Sequence, residues 1–494
     1  MARHKKPFSE VAISRGNGDL KAIVRDNLEK IGGIGRYVKE GDTVFVKPNL
    51  TAGMPVSTGG TTDVLFTEVV VELIKEANPK HIIVGECSGN ESRSIESLVN
   101  LGYADMCERQ GVQMVDLDFA EFVEVPVEDP LYTDKVRLPK LFYESDVYVS
   151  VPVLKNHNGA GITVALKNSF GLVPDDDKLL AHRHSAIERI LVDINSVKPP
   201  ALIFADGRIG GEGMAGGSHF DCPIDANLIC VGNDPVAVDA VCARLMMQNT
   251  RVRYIQWAAE KGVGNDNLDY IHIRGLSIEE AKVKFMSPAE QIMRDSKGKI
   301  RIHELGACTQ CRVIAENGIG RCAGNPNSLL EPVDVVLGPG EWDMPDPVNP
   351  RTVLVGDCIR PEYRDKGKWI GGCPLKAAEY MKALADYDIV CTKCMQMVKK
   401  LVAEHTEEEL ASIRILASNQ TVFQGASNKG MMDDYMLAVG ECQRNYCKNH
   451  VRRAHKLSDI DAAEYIELVE GCGPEEADVR ARLESLIVRA NADK

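Results

Sequence analysis

Fifteen cysteines are spread unevenly through 494 residues, ten of them after residue 307, and four of those ten share one kind of neighbourhood. Cys308 and Cys311 form a C-x-x-C at the start of a predicted helix, Cys358 follows an apolar strand and Gly356, and Cys373 stands between Gly372 and Pro374. Each falls on a loop where a strand or helix stops. Thiolates placed there meet free backbone N–H groups and the positive end of a helix dipole, and both favour an anion. In "GGCPLKAAEYMKAL" Pro374 is expected at the first helical position. Leu375, Ala378, Met381 and Leu384 are then expected to form one buried face that anchors Cys373. Four such thiolates suit a 4Fe-4S cluster. A structural zinc ion on the same ligands, or buried free thiols, are alternatives that thiolates alone leave open. Cys322 is a spare ligand candidate, with an unligated loop cysteine as its plainer reading. Farther on, Cys391 and Cys394 in "CTKC" pair with Cys442 and Cys447 in "CQRNYC" as a possible second metal site, with Cys472 beyond. Thiols on helix faces, or disulfides in an oxidised sample, are the other readings of these pairs.

A second set of chemistry-bearing residues lies in the first half. Lys47 and Asn49 follow the strand-like run "TVFV". Lys155, Asn156 and His157 follow "VSVPVL", and Lys167 and Asn168 precede a glycine-containing turn. Three lysines interleaved with amides suit a carboxylate or phosphate ligand. Among them Lys47, Lys155 and Lys167 are expected to compensate negative charge, and His157 to move a proton. Asp206, Asp234 and Asp239 supply the opposite charge, for pairing the lysines or for a divalent cation. The plainer readings are a solvated surface lysine, an Asp234 that caps the helix begun by Pro235, and an Asp239 in a salt bridge. The "HRH" of 182–184 reads as an exposed loop cluster.

Two resemblances extend this reading. The order C-x-x-C, strand with Gly-x-Cys, then Gly-Cys-Pro resembles the cluster-binding domain of nickel-iron hydrogenase small subunits and the matching subunit of respiratory complex I. That likeness covers about eighty residues and implies a flavodoxin-like domain with one 4Fe-4S cluster on Cys308, Cys311, Cys358 and Cys373. The intervals here are shorter, and a Pro-Leu pair stands where those subunits have two prolines. Upstream, "FVKPNL", "VPVLKNHNGAGITVALKNSFGLVP", "DGRIGGEGMAGG" and "GNDPVAVDAVCARLM" resemble, in order and spacing, the family called domain of unknown function 362. Its members often carry iron-sulfur segments. The resemblance implies a fold and a pocket over residues of about 40–275, without a reaction.

These residues require elements that present them at strand ends. Runs at 43–50, 81–86, 146–154, 201–207 and 228–234 are predicted strands, and "TEVVVELIKEA" and "AVDAVCARLMMQ" repeat apolar positions at helical spacing. The expected class is α/β. Residues 1–300 form a mixed or parallel sheet flanked by helices, 301–386 a smaller flavodoxin-like α/β domain bearing the cysteines, and 387–494 a charged, strand-poor, helical region. A formal net charge of -14 argues against a nucleic-acid or anionic-membrane partner. The absence of an apolar leader or membrane-length run points to the cytoplasm. No P-loop is present, "GRIGGEGMAGG" lacks the strand and helix of a dinucleotide site, and no Ser-His-Asp pattern stands out. The expected function is that of an iron-sulfur redox protein passing electrons from the cluster to an anionic small molecule or cofactor, with a redox partner protein as a further expectation. Alternatives are a lyase or hydratase using the metal as Lewis acid, and a maturation partner of a larger enzyme.

Overall fold

Apolar side chains at successive positions of "TVFV", "HIIVGE" and "VYVSV" leave both faces of the central strands in need of cover. The computed structural model describes all residues except 1–7, 52, 90–91, 216–221, 249–250, 324–330, 387–392, 418–419, 425–434, 440–465, 471–473 and 493–494. Two units are present, Met1–Pro288 and Ala289–Lys494.

In the first unit the strands are β1 (Ser9–Arg15), β2 (Thr43–Pro48), β3 (His81–Glu86), β4 (Gln113–Asp116), β5 (Phe122–Pro126) and β6 (Lys135–Pro139). They continue with β7 (Val147–Val151), β8 (Val153–His157), β9 (Gly161–Thr163), β10 (Leu202–Gly211), β11 (Pro223–Gly232) and β12 (Ile271–Gly275). One mixed sheet runs β12-β1-β11-β10-β7-β2-β3-β4, with β8 joined to β10 and β9, while β5 and β6 pair separately. From β10 through β7, β2 and β3 to β4 every pairing is parallel. Val44, Val46, Val84 and Val149 pack against the helices Leu20–Lys30 and Val64–Lys75. Phe45, Ile83 and Tyr148 face the opposite layer, with the helices Ile187–Val197 and Pro235–Leu245. The single strand expected over 146–154 is two strands, because Pro152 has no N–H for the ladder and the chain bends there.

The second unit begins with a parallel sheet of β13 (Ile300–Glu304), β14 (Val333–Leu337), β15 (Thr352–Val355) and β16 (Lys368–Ile370), in that order. Its strands follow chain order, without the reversal of a doubly wound sheet. The helix Thr309–Ala323 follows β13 and the helix Ala377–Asp386 follows β16. Pro374 therefore lies ahead of its helix instead of at the first position, joined to Cys373 by a cis peptide bond. The buried face of that helix is Tyr380, Ala383 and Leu384, while Ala378 is exposed. The later start shifts the helical phase, and Tyr380 takes the core position.

Residues 387–494 do contain the expected helices, Lys393–Val402 and Glu476–Ala492, but they are not strand-poor. A four-stranded sheet lies between them, of β17 (Ile413–Ala417), β18 (Gln420–Gln424), β19 (Tyr435–Val439) and β20 (Ile466–Val469), ordered β18-β17-β19-β20. Runs such as "YMLAV" are rich in Met, Leu and Ala, which are strong helix formers, so the short strands carry no strand-specific signal.

Asp334 on β14 ties the cysteine-bearing sheet together. Its buried carboxylate accepts hydrogen bonds from Arg301 (2.6 and 2.9 Å), from His303 (2.7 Å) and from Asn349 (2.7 Å). Burial opposes ionisation, yet the bonds from His303, Arg301 and Asn349 prevail and hold this carboxyl down at about 2. A carboxyl held below its unfolded value contributes stability that is full above pH ~4 and disappears as pH falls toward ~2. Asp334→Asn should cost on the order of 2 kcal/mol in urea unfolding at pH 7 and nothing at pH 2; an equal cost at both pH values would contradict this assignment.

Candidate functional site

The parallel core of the first unit gathers lysines at the carboxyl ends of its strands. Lys47, at the end of β2, is 1% exposed, and its Nζ donates to Glu86 Oε1 at 2.7 Å, to the Pro48 carbonyl at 2.9 Å and to Asn168 Oδ1 at 3.3 Å. Glu86 ends the adjacent β3, and its second oxygen accepts from the Leu50 N–H at 2.9 Å. Lys155 on β8 is equally buried and donates to Asn49 Oδ1 (2.9 Å), the Gly60 carbonyl (2.6 Å) and Thr51 Oγ1 (3.1 Å). Asn49 gives its NH2 to Asn168 Oδ1, and Asn168 gives its own to the Lys47 carbonyl and Ser150 Oγ. Lys47, Asn49, Lys155 and Asn168 thus form one hydrogen-bonded network. Gly171 closes over it: a Cβ there would stand 2.6 Å from Glu86 Oε1 and 2.7 Å from Lys47 Nζ, so no side chain fits.

Lys178, on the helix Asp175–Arg183, is a fourth lysine of this site. Its Nζ lies 2.8 Å from Cys87 Sγ and donates to the carbonyls of Cys87 and Ser88 and to Asp175 at 3.2 Å. Against the burial that would lower it, Cys87 and Asp175 raise the Lys178 pKa. The sequence reading missed Glu86, Cys87 and Lys178. The signal for the first two was available, since "GEC" closes a predicted strand; Lys178 sits in "DDDK", which reads as a solvated face.

Lys167 differs from the other three. It lies on the short helix Ala165–Asn168, whose first amides donate to Asp239 at 2.7 and 3.3 Å and whose Leu166 carbonyl accepts from Asn195. Its amine has no hydrogen bond or ion pair among the described residues and stands 5.2 Å from the Phe170 ring centre. It is partly exposed. Burial of the amine, together with Lys178 and Lys47, brings its pKa down to about 7. Burial also lowers Lys155, with Lys167 and Lys47 acting in the same direction, and lowers Lys47 despite Glu86.

His157 is 8% exposed, and its Nδ1 accepts the Gly159 N–H at 2.8 Å. Burial, then Lys167, Lys155 and His182, lower its pKa well below the usual histidine value. At neutral pH the ring is uncharged and, with Nδ1 accepting, carries its proton on Nε2 as a hydrogen-bond donor. The hydrogen bonds of the expected acidic residues go elsewhere. Asp206 holds Arg208, which also reaches Asp63. Asp234 caps the helix Pro235–Leu245 through Val236 and Ala237 and accepts from Ser9 and Asn265. Asp239, pushed up to about 8 by burial against the bonds from Ala165 and Leu166, positions the Lys167 segment. Asn156 donates to the Met286 carbonyl. His182 and His184 are exposed, at the end of the helix Asp175–Arg183 and just after it.

In the second unit Cys308, Cys358 and Cys373 follow β13, β15 and β16, and Cys311 lies in the first turn of the helix after β13. All three segments leave the carboxyl edge of one parallel sheet. Gly356, with φ +91°, fits where a Cβ would stand 3.3 Å from Cys311 Sγ and 3.6 Å from Cys358 Sγ, so both sulfurs lean on its bare Cα. Cys311 is buried, Cys308 partly exposed, and Cys358 and Cys373 exposed. Burial raises the Cys311 thiol to about 11, the Leu375 N–H bonded to it works the other way, and Cys308, Cys358 and Cys373 each raise it further. Cys358 is raised by burial, by Cys308 and by Cys373, and is lowered by the N–H groups of Gly338 and of Cys358 itself. Asp357 holds the β15 and β16 loops together, accepting the Gly372 N–H at 2.8 Å. Among the described residues no group of three or more His, Cys, Asp or Glu is arranged to hold a metal ion. What the loops offer is four thiols, three of them near enough to act on the charge of Cys311, with backbone N–H groups at two of the four and a glycine beside two sulfurs, thiols being the ligand type an iron-sulfur cluster takes. Cys394 is a buried thiol in the apolar cluster with Val398 and Leu401. Cys391, Cys442, Cys447 and Cys472, and the side chain of Cys322, lie outside the described residues.

Removing one partner of a buried pair strands the other charge. Glu86→Gln should cost about 3–5 kcal/mol in urea unfolding, and Lys47→Met combined with Glu86→Leu should recover most of it. A cost below ~1 kcal/mol for the single change would contradict the buried pair.

The model of a family described as a domain of unknown function, DUF362, matches residues 44–244, which hold all four lysines of the polar site. The thylakoid-associated protein sll1697 of Synechocystis sp. is 28% identical over 234 residues, 46% of this chain and 70% of that protein. Among solved structures, the lactate racemase apoprotein of Thermoanaerobacterium thermosaccharolyticum aligns at 16% identity with a TM-score of 0.33, over 50% of this chain and 58% of that one. A protein of Thermotoga maritima aligns at 14% identity and TM-score 0.31, over 51% and 59% of the two chains. This chain therefore covers less than two thirds of either solved structure. No helix among the described residues is long and apolar enough to cross a membrane.

Proposed function

We propose that this chain is an iron-sulfur electron-transfer protein whose second unit carries one 4Fe-4S cluster on Cys308, Cys311, Cys358 and Cys373. Its first unit binds the anionic small molecule that is reduced. The observation that carries this reading is the meeting of the four thiols at the carboxyl edge of one parallel sheet, where backbone N–H groups of Leu375 and Gly338 reach two of the sulfurs. When bound, such a cluster supplies electrons one at a time, taken from a one-electron donor protein. The chain's own part is to offer N–H donors to two of the sulfurs, which work against the burial and mutual repulsion that raise Cys311 and Cys358 and would stabilise thiolate charge once a cluster is bound.

In the first unit Lys47, Lys155, Lys167 and Lys178 gather at one edge of the sheet, and a carboxylate or phosphate bound there would relieve the burial and mutual repulsion that lower Lys47, Lys155 and Lys167. His157 offers an Nε2–H to an oxygen of that ligand.

Protein purified without oxygen should contain about four iron and four sulfide per chain and, once reduced by dithionite, give a low-temperature paramagnetic signal. Cys358→Ser and Cys373→Ser should lose most of the iron, whereas Cys394→Ser should keep it. One zinc per chain without sulfide would overturn the proposal.

A further inference from the structure

We propose that Lys167 is a reactive amine that condenses with the carbonyl group of a small oxo acid, forming an imine in the polar site of the first unit. The inference rests on reading that site as an anion pocket and does not depend on the cluster.

The argument starts from the differing fates of four lysines in one cluster. Lys47 is committed to Glu86, Lys155 to Asn49, Thr51 and Gly60, and Lys178 to Asp175 and two carbonyls. Their donors are occupied and their nitrogens enclosed, so none of the three offers its amine to a ligand. Lys167 has no such acceptor among the described residues, and it is the one of the four that is partly exposed. The first two residues of its helix are held by Asp239 at the Ala165 and Leu166 N–H groups and by Asn195 at the Leu166 carbonyl, which places the amine reproducibly. The charged and titratable groups that act on it or feel it are Lys47, Lys178, Lys155 and His157, with Glu86 beside Lys47 and Asp175 and Cys87 beside Lys178. A lysine desolvated beside other cations loses its proton near neutrality, which brings its pKa here to about 7 and leaves a nucleophilic lone pair. A carbonyl compound that is also an anion is the ligand class that uses both features: its carboxylate is drawn by the field of the buried lysines without touching them, and its carbonyl carbon meets the partly exposed amine.

In the step itself the Lys167 nitrogen pair adds to the carbonyl carbon, the C=O pair moves to oxygen, and a proton passes from nitrogen to that oxygen. Loss of the hydroxyl with a further proton then gives C=N and one water. Nothing is oxidised or reduced. His157, uncharged with Nε2–H, suits a hydrogen bond to the oxygen and not a proton relay.

The test uses the full chain with glyoxylate as probe and cyanoborohydride to trap the imine, followed by peptide mass mapping. Lys167 should be modified at least about tenfold faster at pH 7.5 than any other lysine, with a rate half-maximal near pH 7, because ordinary lysines are almost wholly protonated there. Lys167→Arg, which keeps the charge, should remove this fast adduct, and Cys358→Ser should leave it unchanged. Labelling of Lys167 no faster than of surface lysines would overturn the proposal whatever the iron content. Acetaldehyde trapped as fast as glyoxylate would overturn the oxo-acid class.

Discussion

Three lysine amines, Lys47, Lys155 and Lys178, cannot leave water together unless the fold meets them with oxygen, and this requirement shapes the whole first unit. Desolvating one isolated charge costs several kcal/mol. The strand ends answer with Glu86, with the backbone carbonyls of Pro48, Gly60, Cys87 and Ser88, and with amide oxygens of Asn49 and Asn168. The parallel arrangement of β2, β3 and β7 makes this possible, because chain leaving the same edge of each strand brings carbonyls and side chains into one place. Packing follows the same demand: Gly171 has no side chain because the Lys47 and Glu86 pair occupies the space.

The second unit applies the same topological rule to a different set of groups. Loops leaving β13, β15 and β16 converge at a carboxyl edge, the usual ligand position in parallel sheets. Here the groups brought together are thiols, and the compensation is backbone N–H instead of C=O. A cysteine pair on a helix start and two on strand ends need little side-chain support, since the loops are tied to one another through Asp357 and Gly372.

How much of this was legible in the sequence depended on whether position or partner was at stake. The central strands, the lysine and amide positions and the four cysteine loops are visible because glycine, proline and polar residues interrupt apolar runs there. Partners separated by a hundred residues are not visible: Lys47 reads as surface until Asn168 and Glu86 are seen beside it. The start of the helix after Cys373 was misplaced because Pro374 suits either the first turn or the loop before it. The β17–β20 sheet was missed because its strands are composed of residues that also favour helices. Asp206 and Asp234 looked like site residues from their place at strand ends, yet each serves a local structural bond, with Arg208 and with the amides of a helix start.

The contrast between Lys155 and Lys167 shows how one cluster can contain both committed and reactive amines. Both amines are pulled down by burial and by neighbouring lysines. Lys155 has three acceptors in place and is closed off from solvent by Asn49, Thr51 and Gly60, so its nitrogen is held out of a ligand's reach. Lys167 forfeits no hydrogen bond among the described residues when it loses its proton, and doing so relieves repulsion from its neighbours. The same repulsion that depresses Lys167 would be relieved by a bound anion, which therefore raises the amine's basicity as it binds. A ligand that both neutralises the site and consumes the amine escapes this opposition, because the nitrogen is committed to a covalent bond once the anion is seated. That coupling makes an anionic carbonyl compound a better match to the site than an anion alone.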